Sequence, residues 1–368
     1  MPMKQNEFVS KNSGNDKNLR EMPAGINQEA SGKPAPSQLI LQVGTGYMAS
    51  MCLFIAAKLK IADLLADEPK SVYELSSVTG MHEDRLYRVL RSLAMVGIFS
   101  EVGARKFALT PPAATLRTDV PESVHALVLW LCDPFHFTTF AELPHSVETG
   151  ETTFDHIYGK SVFEYFPEDP VEEERFNNAM TCLSNMMVPA VLEAYDFSNI
   201  GTLLDVAGGH GALLCAILER YPKMKGMLVD LPSVVEGTHN AVSARGLKDR
   251  CHIAHADFFV SIPGGADAII MKHIIHDWDN NKAIAILTNC RQALAGKPNA
   301  RVILVESVLP EGNEPHMGKM IDLEMMVYPG GRERTEAEFS SLFEKAGLRL
   351  NRVIPTNAPL VVVEAVLG

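Results

Sequence analysis

The chain has 368 residues, 46% of them hydrophobic, and a formal net charge of −12. That is enough apolar material for a large core, and a length suited to two domains of roughly 100–200 residues each. So acidic a chain is repelled by phosphate backbones, which argues against nucleic acid as the main partner. The six cysteines, at Cys52, Cys132, Cys182, Cys215, Cys251 and Cys290, form no CxxC or Cys/His cluster. Scattered thiols fit a reducing compartment better than a disulfide framework. No unbroken apolar run reaches about 18 residues and the N-terminus has no apolar signal core, so the expectation is a cytoplasmic protein without a membrane span.

Residues 1–36 are polar and read as a disordered or loosely docked arm. "LILQVGTGYMASMCLFIAAKLKIADLLA" (39–66) has helical spacing but is apolar nearly all round, so it belongs in a core or against a partner subunit. In 71–110 two short helices are expected, with a turn at Thr79-Gly80. The second, from about His82 to Met95, puts Leu86, Val89, Leu90 and Leu93 on one face. "GIFSEV" and "KFALT" then alternate like a hairpin around Gly103. Helix-turn-helix plus hairpin is a winged-helix pattern. Arg85, Arg88 and Arg91 keep a DNA-binding reading open, against Glu83, Asp84 and the acidic whole; a packing or dimerisation module is the simpler account.

Residues 116–196 read as helices broken by Pro, Gly and acidic loops, the last of them Met-rich ("EERFNNAMTCLSNMMVPAVLEAY"). Methionines at helical spacing fill cores, and can also line an adaptable pocket for a flat ligand. From about 200 the texture changes. "TLLDVAG", "KGMLVDLP", "HIAHADFF", "ADAIIMKHII", "RVILVESVLP" and "LVVVEAVL" are apolar runs that alternate with helical stretches. That alternation predicts a parallel sheet covered on both faces, closed by an antiparallel pair from "LRLNRVIPT" and the C-terminal run. The domain expectation is therefore 37–115, 116–196 and 197–368.

"LLDVAGGHGALL" places Gly208, Gly209 and Gly211 between a strand and a helix, where bare backbone lets a ligand come close. Asp230 ends the next strand and can accept from ribose hydroxyls. The geometry serves dinucleotides and S-adenosylmethionine alike, and the A-x-G-x-x-A spelling from Ala207 to Ala212 leaves a nicotinamide reading open. Asp257, at the expected end of the third strand, with Phe258 beside it, could hold an adenine. Asp205, Asp230, Asp257 and Lys272 all fall at the carboxyl ends of strands, where ligands of open α/β sheets bind. The stretch "KHIIHDWDNNK" (272–282) is ambiguous by its own spacing. His273 and His276 could be metal ligands, buried structural residues or a base, although zinc needs three or four ligands and no Cys or carboxylate cluster completes a site.

Taken in order and with their spacing, "LLDVAGGHG", "LVDLP", "ADFF", "KHIIHDW", "LVES" and "PGGRERT" resemble the plant-type small-molecule O-methyltransferases, a family that includes caffeate, flavonoid and hydroxyindole enzymes and many microbial natural-product enzymes. The resemblance covers about 40–368. It implies a Rossmann-like domain that binds S-adenosylmethionine (SAM), an N-terminal winged-helix dimerisation domain, and a homodimer. It implies cofactor contacts from Asp205, Gly208, Gly209, Gly211, Asp230, Leu231, Asp257, Phe258 and Lys272. It puts the catalytic base on His276, supported by Glu306 and Glu333 with Asp277 adjacent, and makes His273 a packing residue. An imidazole of ordinary pKa, near 6.5, takes a proton from a phenol around neutral pH. The implied acceptor is a small, usually aromatic hydroxyl compound, its pocket lined by Phe176, Asn177, Met180, Met325, Met326 and Tyr328, with Asn177 or Tyr328 as polar contacts. No metal is required. One departure stands out: Ala207 replaces the first glycine of the usual D-V-G-G-G, which is harmless only if that position is not left-handed. Some relatives bind SAM without transferring a methyl group, but those often lack the base or its acids, all present here.

Overall fold

The computed structural model describes residues 35–368, so the arm expected over 1–36 lies almost wholly outside the described residues. The first element is the helix Pro36–Lys58. Only Ala56 and Ala57 of it are buried, while Leu39, Ile40, Leu41, Val43, Tyr47 and Met48 are exposed. Of the two expectations for the apolar stretch 39–66, burial in the chain's own core is met only by its second half, where Ala56, Ile61, Ala62 and Leu65 join one cluster. Among the described residues Pro36–Lys58 is also the one helix long and apolar enough to cross a membrane by length and composition. Counting unbroken apolar runs missed it because Gln42, Thr45 and Ser50 interrupt the stretch. Residues 47–368 form one compact unit.

The winged-helix expectation holds. Ser71 and Glu74 form a reciprocal capping box at the start of the helix Val72–Thr79, which ends on the left-handed Gly80. The helix Glu83–Met95 buries Leu86, Leu90 and Leu93, with Val89 packed against the same cluster. A small sheet completes the unit: β1 (Lys70–Ser71), β2 (Phe99–Gly103) and β3 (Lys106–Leu109), in the order β1-β3-β2 and antiparallel throughout.

The large sheet has seven strands: β4 (Thr202–Val206), β5 (Lys225–Asp230), β6 (Cys251–His255), β7 (Ala268–Lys272), β8 (Arg301–Glu306), β9 (Leu348–Pro355) and β10 (Val361–Leu367). Their order is β6-β5-β4-β7-β8-β10-β9, parallel up to β8 and antiparallel at β10 and β9. Successive side chains serve opposite faces. Ile270, Ile303 and Val305 join the core shared with the helices Pro170–Ala194 and Ala212–Arg220. Ile269, Met271, Val302 and Leu304 join the core under the helices Asn280–Ala293 and Glu336–Lys345. Burial on both faces explains why these strands read as continuous apolar runs. The chain winds outward from β4 to β6 and then returns to β7, so the strand order reverses between β4 and β7, where open α/β sheets bind ligands.

One charge sits inside β10. Glu364 is 2% exposed. Its carboxylate accepts from Asn351 Nδ2 at 2.6 Å and Arg352 Nε at 2.9 Å, and also from the Tyr195 hydroxyl. Burial works against ionisation, but Arg352, Tyr195 and Asn351 outweigh it and hold the carboxyl down at about 2. A carboxyl with a depressed folded pKa stabilises above its unfolded value, about 4.3, and loses that contribution as pH falls. Glu364→Gln should lower the thermal midpoint at neutral pH by the equivalent of about 2 kcal/mol. The gap between parent and variant should close in melts run from neutral pH down through about 4.3 towards about 2.

Candidate active site

The loop after β4 is built for close approach. Gly209 and Gly211 have φ of 58° and 78°. A Cβ on Gly208 would meet the Asp205 carboxyl carbon at 2.7 Å and Leu228 Cδ1 at 2.8 Å, so only glycine fits. Asp230, at the end of β5, braces the loop by accepting the Gly209 N–H at 2.8 Å, and its other oxygen accepts the Leu231 N–H at 2.7 Å. Ala207 has φ 55°. The condition under which that alanine would be harmless is therefore not met, and an L-residue there carries strain of about 1–2 kcal/mol.

Asp205 is buried under the loop, and burial, only partly offset by Lys272, pushes its pKa up to about 7. Lys272 ends β7, and burial lowers its pKa against the pull of Asp205, Glu306 and Asp277. Asp257 does not end a strand as expected: β6 stops at His255, and Asp257 is an exposed loop residue whose carboxylate accepts the Phe259 N–H at 2.8 Å. Next to it, Phe258, Phe259 and Trp278 form a ring cluster, with Phe259 4.8 Å from both neighbours. Leu231, 46% exposed, follows Asp230 directly.

Beyond Lys272 the chain turns sharply and enters a short helical turn, Ile275–Asp277. His276 is buried there, and its Nδ1 lies 2.7 Å from Glu333 Oε1. An ionised carboxylate can only accept, so Nδ1 carries the hydrogen and Nε2 is left as the basic nitrogen, 3.5 Å from Asp277 Oδ1. Glu306, the last residue of β8, is fully buried. Its Oε1 accepts the N–H groups of Ile274 at 3.1 Å and Ile275 at 2.9 Å, and its Oε2 stands 3.9 Å from His276 Nδ1. Burial alone would lower the His276 pKa, but Glu306, Asp277 and Glu333 together lift it to about 10. The ordinary value assumed for this imidazole is thus overturned.

The expectation that no carboxylate cluster stands with these histidines is not met, since the fold brings ligand atoms of His276, Glu306 and Glu333 within 4.8 Å of one another. Ligands bonded to zinc at about 2.0–2.2 Å and tetrahedral angles stand roughly 3.4 Å apart. The 2.7 Å between Nδ1 and Oε1 is a hydrogen-bond distance.

Two residues that sequence reasoning passed over hold this arrangement. Arg334 is buried, donating to the carbonyls of Ile275 at 2.9 Å and Trp278 at 2.7 Å, so it clamps the His276 turn from both sides. Gly331 passes so close that a Cβ would fall 2.0 Å from the His276 carbonyl oxygen. Both sit in "PGGRERT", where only the glutamate had been read as functional.

Of the residues expected around an acceptor, Phe176 and Met180 lie on the helix Pro170–Ala194 and pack against an aromatic cluster. Trp130 is 5.4 Å from Phe176 and Phe166 is 4.8 Å from it. Asn177 is partly buried on the same helix; Met325 and Met326 lie on the helix Gly318–Val327, Met325 buried. Tyr328 is 3% exposed and stacks on His136 at 4.5 Å, and its hydroxyl is buried without a hydrogen bond, which leaves it free for the polar contact expected of it. The polar pair in this region is His136 Nε2 and Glu324 Oε1, at 2.7 Å. Nothing local in "PFHF" marks that pair, which forms only when two distant helices meet. On the other side, Thr181 Oγ1 lies 3.2 Å from His210 Nδ1, linking this helix to the glycine loop.

Residues 140–349 match the O-methyltransferase domain family, and residues 41–119 the O-methyltransferase dimerisation domain family. The chain is 40% identical to the phenazine O-methyltransferase PhzM of Lysobacter antibioticus, over 92% of this chain and 98% of that protein. It is 36% identical to the mitomycin biosynthesis 6-O-methyltransferase of Streptomyces lavendulae, over 92% and 97%. CalO1, a methyltransferase in calicheamicin biosynthesis solved in its S-adenosylhomocysteine-bound form, aligns with a TM-score of 0.80 at 33% identity, covering 91% of this chain and 100% of that one. The chain belongs to the O-methyltransferase family and is a SAM-dependent O-methyltransferase. Its own residues fit that cofactor: a glycine loop with bare backbone, an acid at the end of β5, and a ring cluster in which Trp278 Nε1 is buried without a partner.

Relieving the strain at Ala207 should be measurable. Ala207→Gly is expected to stabilise the protein by about 1 kcal/mol. That corresponds to a rise of about 2 °C in the thermal midpoint, read by calorimetry without added ligand.

Proposed function

We propose that the enzyme methylates a phenolic hydroxyl of a small aromatic natural product, with His276 as general base. The observation that carries this is the Nδ1 contact of His276 with Glu333 at 2.7 Å, backed by the buried Glu306. Glu333 fixes the tautomer and the ring plane. Glu306 stabilises the imidazolium that forms, and Asp277 adds to the field around Nε2. SAM is held by Asp205, Gly208, Gly209, Gly211, Asp230, Leu231, Asp257, Phe258 and Lys272, and bound there it supplies an electrophilic methyl group on a sulfonium sulfur. His276 Nε2 takes the acceptor's hydroxyl proton and leaves an oxygen nucleophile. Phe176, Asn177, Met180, Met325, Met326 and Tyr328 hold the acceptor so that this oxygen is aligned, with Asn177 or Tyr328 as the polar contact. Such alignment can supply several kcal/mol of the acceleration. Flat rings and thioethers suit a planar acceptor, and relatives named for phenazine and mitomycin support that class.

We further propose the division 37–115, 116–196 and 197–368, a cytoplasmic setting suited to six free cysteines, and a homodimer. Residues 41–58 of the apolar helix lie within the matched dimerisation domain, so a second copy, with no need of a bilayer, accounts for the exposed face. Light scattering at micromolar concentration should report twice the mass of 40.3 kDa; a monomer removes the proposal.

The base has a defined pH signature. A base with a raised pKa is active only once its proton is lost, so kcat/KM should climb with pH on a limb displaced well above the ordinary histidine range. Glu306→Gln removes one of the charges holding the proton, and its limb should lie at lower pH than the parent's. His276→Ala should reduce kcat by about 10²- to 10⁴-fold while calorimetry shows SAM binding intact. Mass spectrometry of the product settles whether a methyl group is transferred.

A further inference from the structure

His273 was read from sequence as a packing residue. Its geometry gives it more to do, and we propose that it is a positioning residue for the general base, acting through the flat face of its imidazole ring.

His273 is one of five non-glycine described residues with positive φ, at 55°. Its N–H still reaches back to the Val305 carbonyl at 3.2 Å, so the residue stands where β7 ends and the His276 turn begins. A left-handed residue there swings the following amides round. The N–H groups of Ile274 and Ile275 converge on one oxygen of Glu306, at 3.1 and 2.9 Å. Consecutive amides arranged this way make an anion-binding concavity, and the anion it holds is a carboxylate facing the base. Histidine, asparagine and aspartate are the non-glycine residues that tolerate the left-handed region best, but tolerance alone does not call for a ring.

The ring is where the second observation lies. It stacks on His276 with centroids 4.8 Å apart and planes 20° from parallel. Glu333 pins one edge of the His276 imidazole through Nδ1. A hydrogen bond at one edge leaves the ring free to tilt about that bond, and a flat neighbour on its face removes that freedom. His273 also stays neutral while His276 is charged, because burial, Lys272 and His276 all disfavour its protonation. The remaining ionisable groups around the pair are Glu306, Glu333 and Asp277. The stack is thus a neutral plate against an imidazolium, with no like-charge repulsion.

The proposal rests on His276 being the base, and the variants separate the two. His273→Asn and His273→Gly both accept the left-handed backbone and lack the ring. Each should lose about 10- to 100-fold in kcat, with the acceptor KM and the calorimetric SAM affinity within a few-fold of the parent. The rising limb of the pH profile should stay near the parent's, because the carboxylates that set it are untouched. His273→Phe restores a flat ring at the cost of about 1–2 kcal/mol of backbone strain, and should recover part of the kcat lost in the Asn and Gly variants. Parent-like kcat in the Asn and Gly variants, beside an inactive His276→Ala, overturns the positioning role alone. A Phe variant that binds SAM normally and melts no lower than that strain explains, yet is no more active than the Asn and Gly variants, overturns it too. An active His276→Ala overturns the base assignment itself.

Discussion

Glu306 is a carboxylate with no surface exposed to water, at the end of a strand in which the four residues before it, Val302 to Val305, are all apolar. Left alone in that position it would take up a proton, because burying an isolated charge is prohibitive. Much around it compensates. The amides of Ile274 and Ile275 donate to one oxygen, His276 faces the other, and the positive field of Lys272 and Arg334 reaches it from two sides. The compensation requires a left-handed residue at the end of β7, a tight turn after it, and a buried arginine behind that turn. The same requirements fix the position and protonation of the base.

The fold makes this arrangement affordable by placing it at the reversal of strand order. β4 and β7 are neighbours in the sheet, yet the helices that follow them pack into the cores on its two opposite faces. The opening receives the glycine loop from one strand and the Lys272–Asp277 segment from the other. Asp205 and Lys272 face each other across it, so the cofactor residues and the catalytic residues share one buried charge network. The mixed end of the sheet, β10 and β9, takes no part in that network. It carries a separate one around Glu364, with Tyr195 and Arg352, which ties the helix Pro170–Ala194 to the far edge through the residue that follows it.

Strand and helix periods made most of the fold legible, because a strand buried on both faces must be apolar throughout, and that shows in sequence. The winged-helix unit was legible for the same reason, its single buried stripe recurring at Leu86, Leu90 and Leu93. The site was legible only where a motif spelled it. His276, Glu306 and Glu333 could be chosen through the family resemblance; their spacing in sequence says nothing about a 2.7 Å contact. Ala207 could be named as a departure, but its left-handed backbone follows from the loop's closure over Asp205 and not from its residue type. Arg334 and the His136–Glu324 pair were missed because their partners come from distant elements, and a charge that looks solvated in sequence can be fully buried in space.

A base held at a high pKa looks badly suited to work near neutrality, and the reason lies in what the cleft must also hold. Asp205, Asp277, Glu306 and Glu333 outnumber Lys272, His276 and Arg334 by four to three, so the site carries an excess of negative charge when these groups ionise. Such an excess favours any cation brought beside it, and a sulfonium cofactor is one. Positive charge placed next to the carboxylates offsets part of the field that keeps Nε2 protonated, since that field, and not the imidazole itself, is what raised the pKa. Proton affinity and cofactor affinity therefore draw on the same carboxylates. A change that strengthens one at Glu306 or Asp277 must alter the other. The stacked ring of His273 carries no charge and is not among those carboxylates, so it can hold the base in place without entering that exchange.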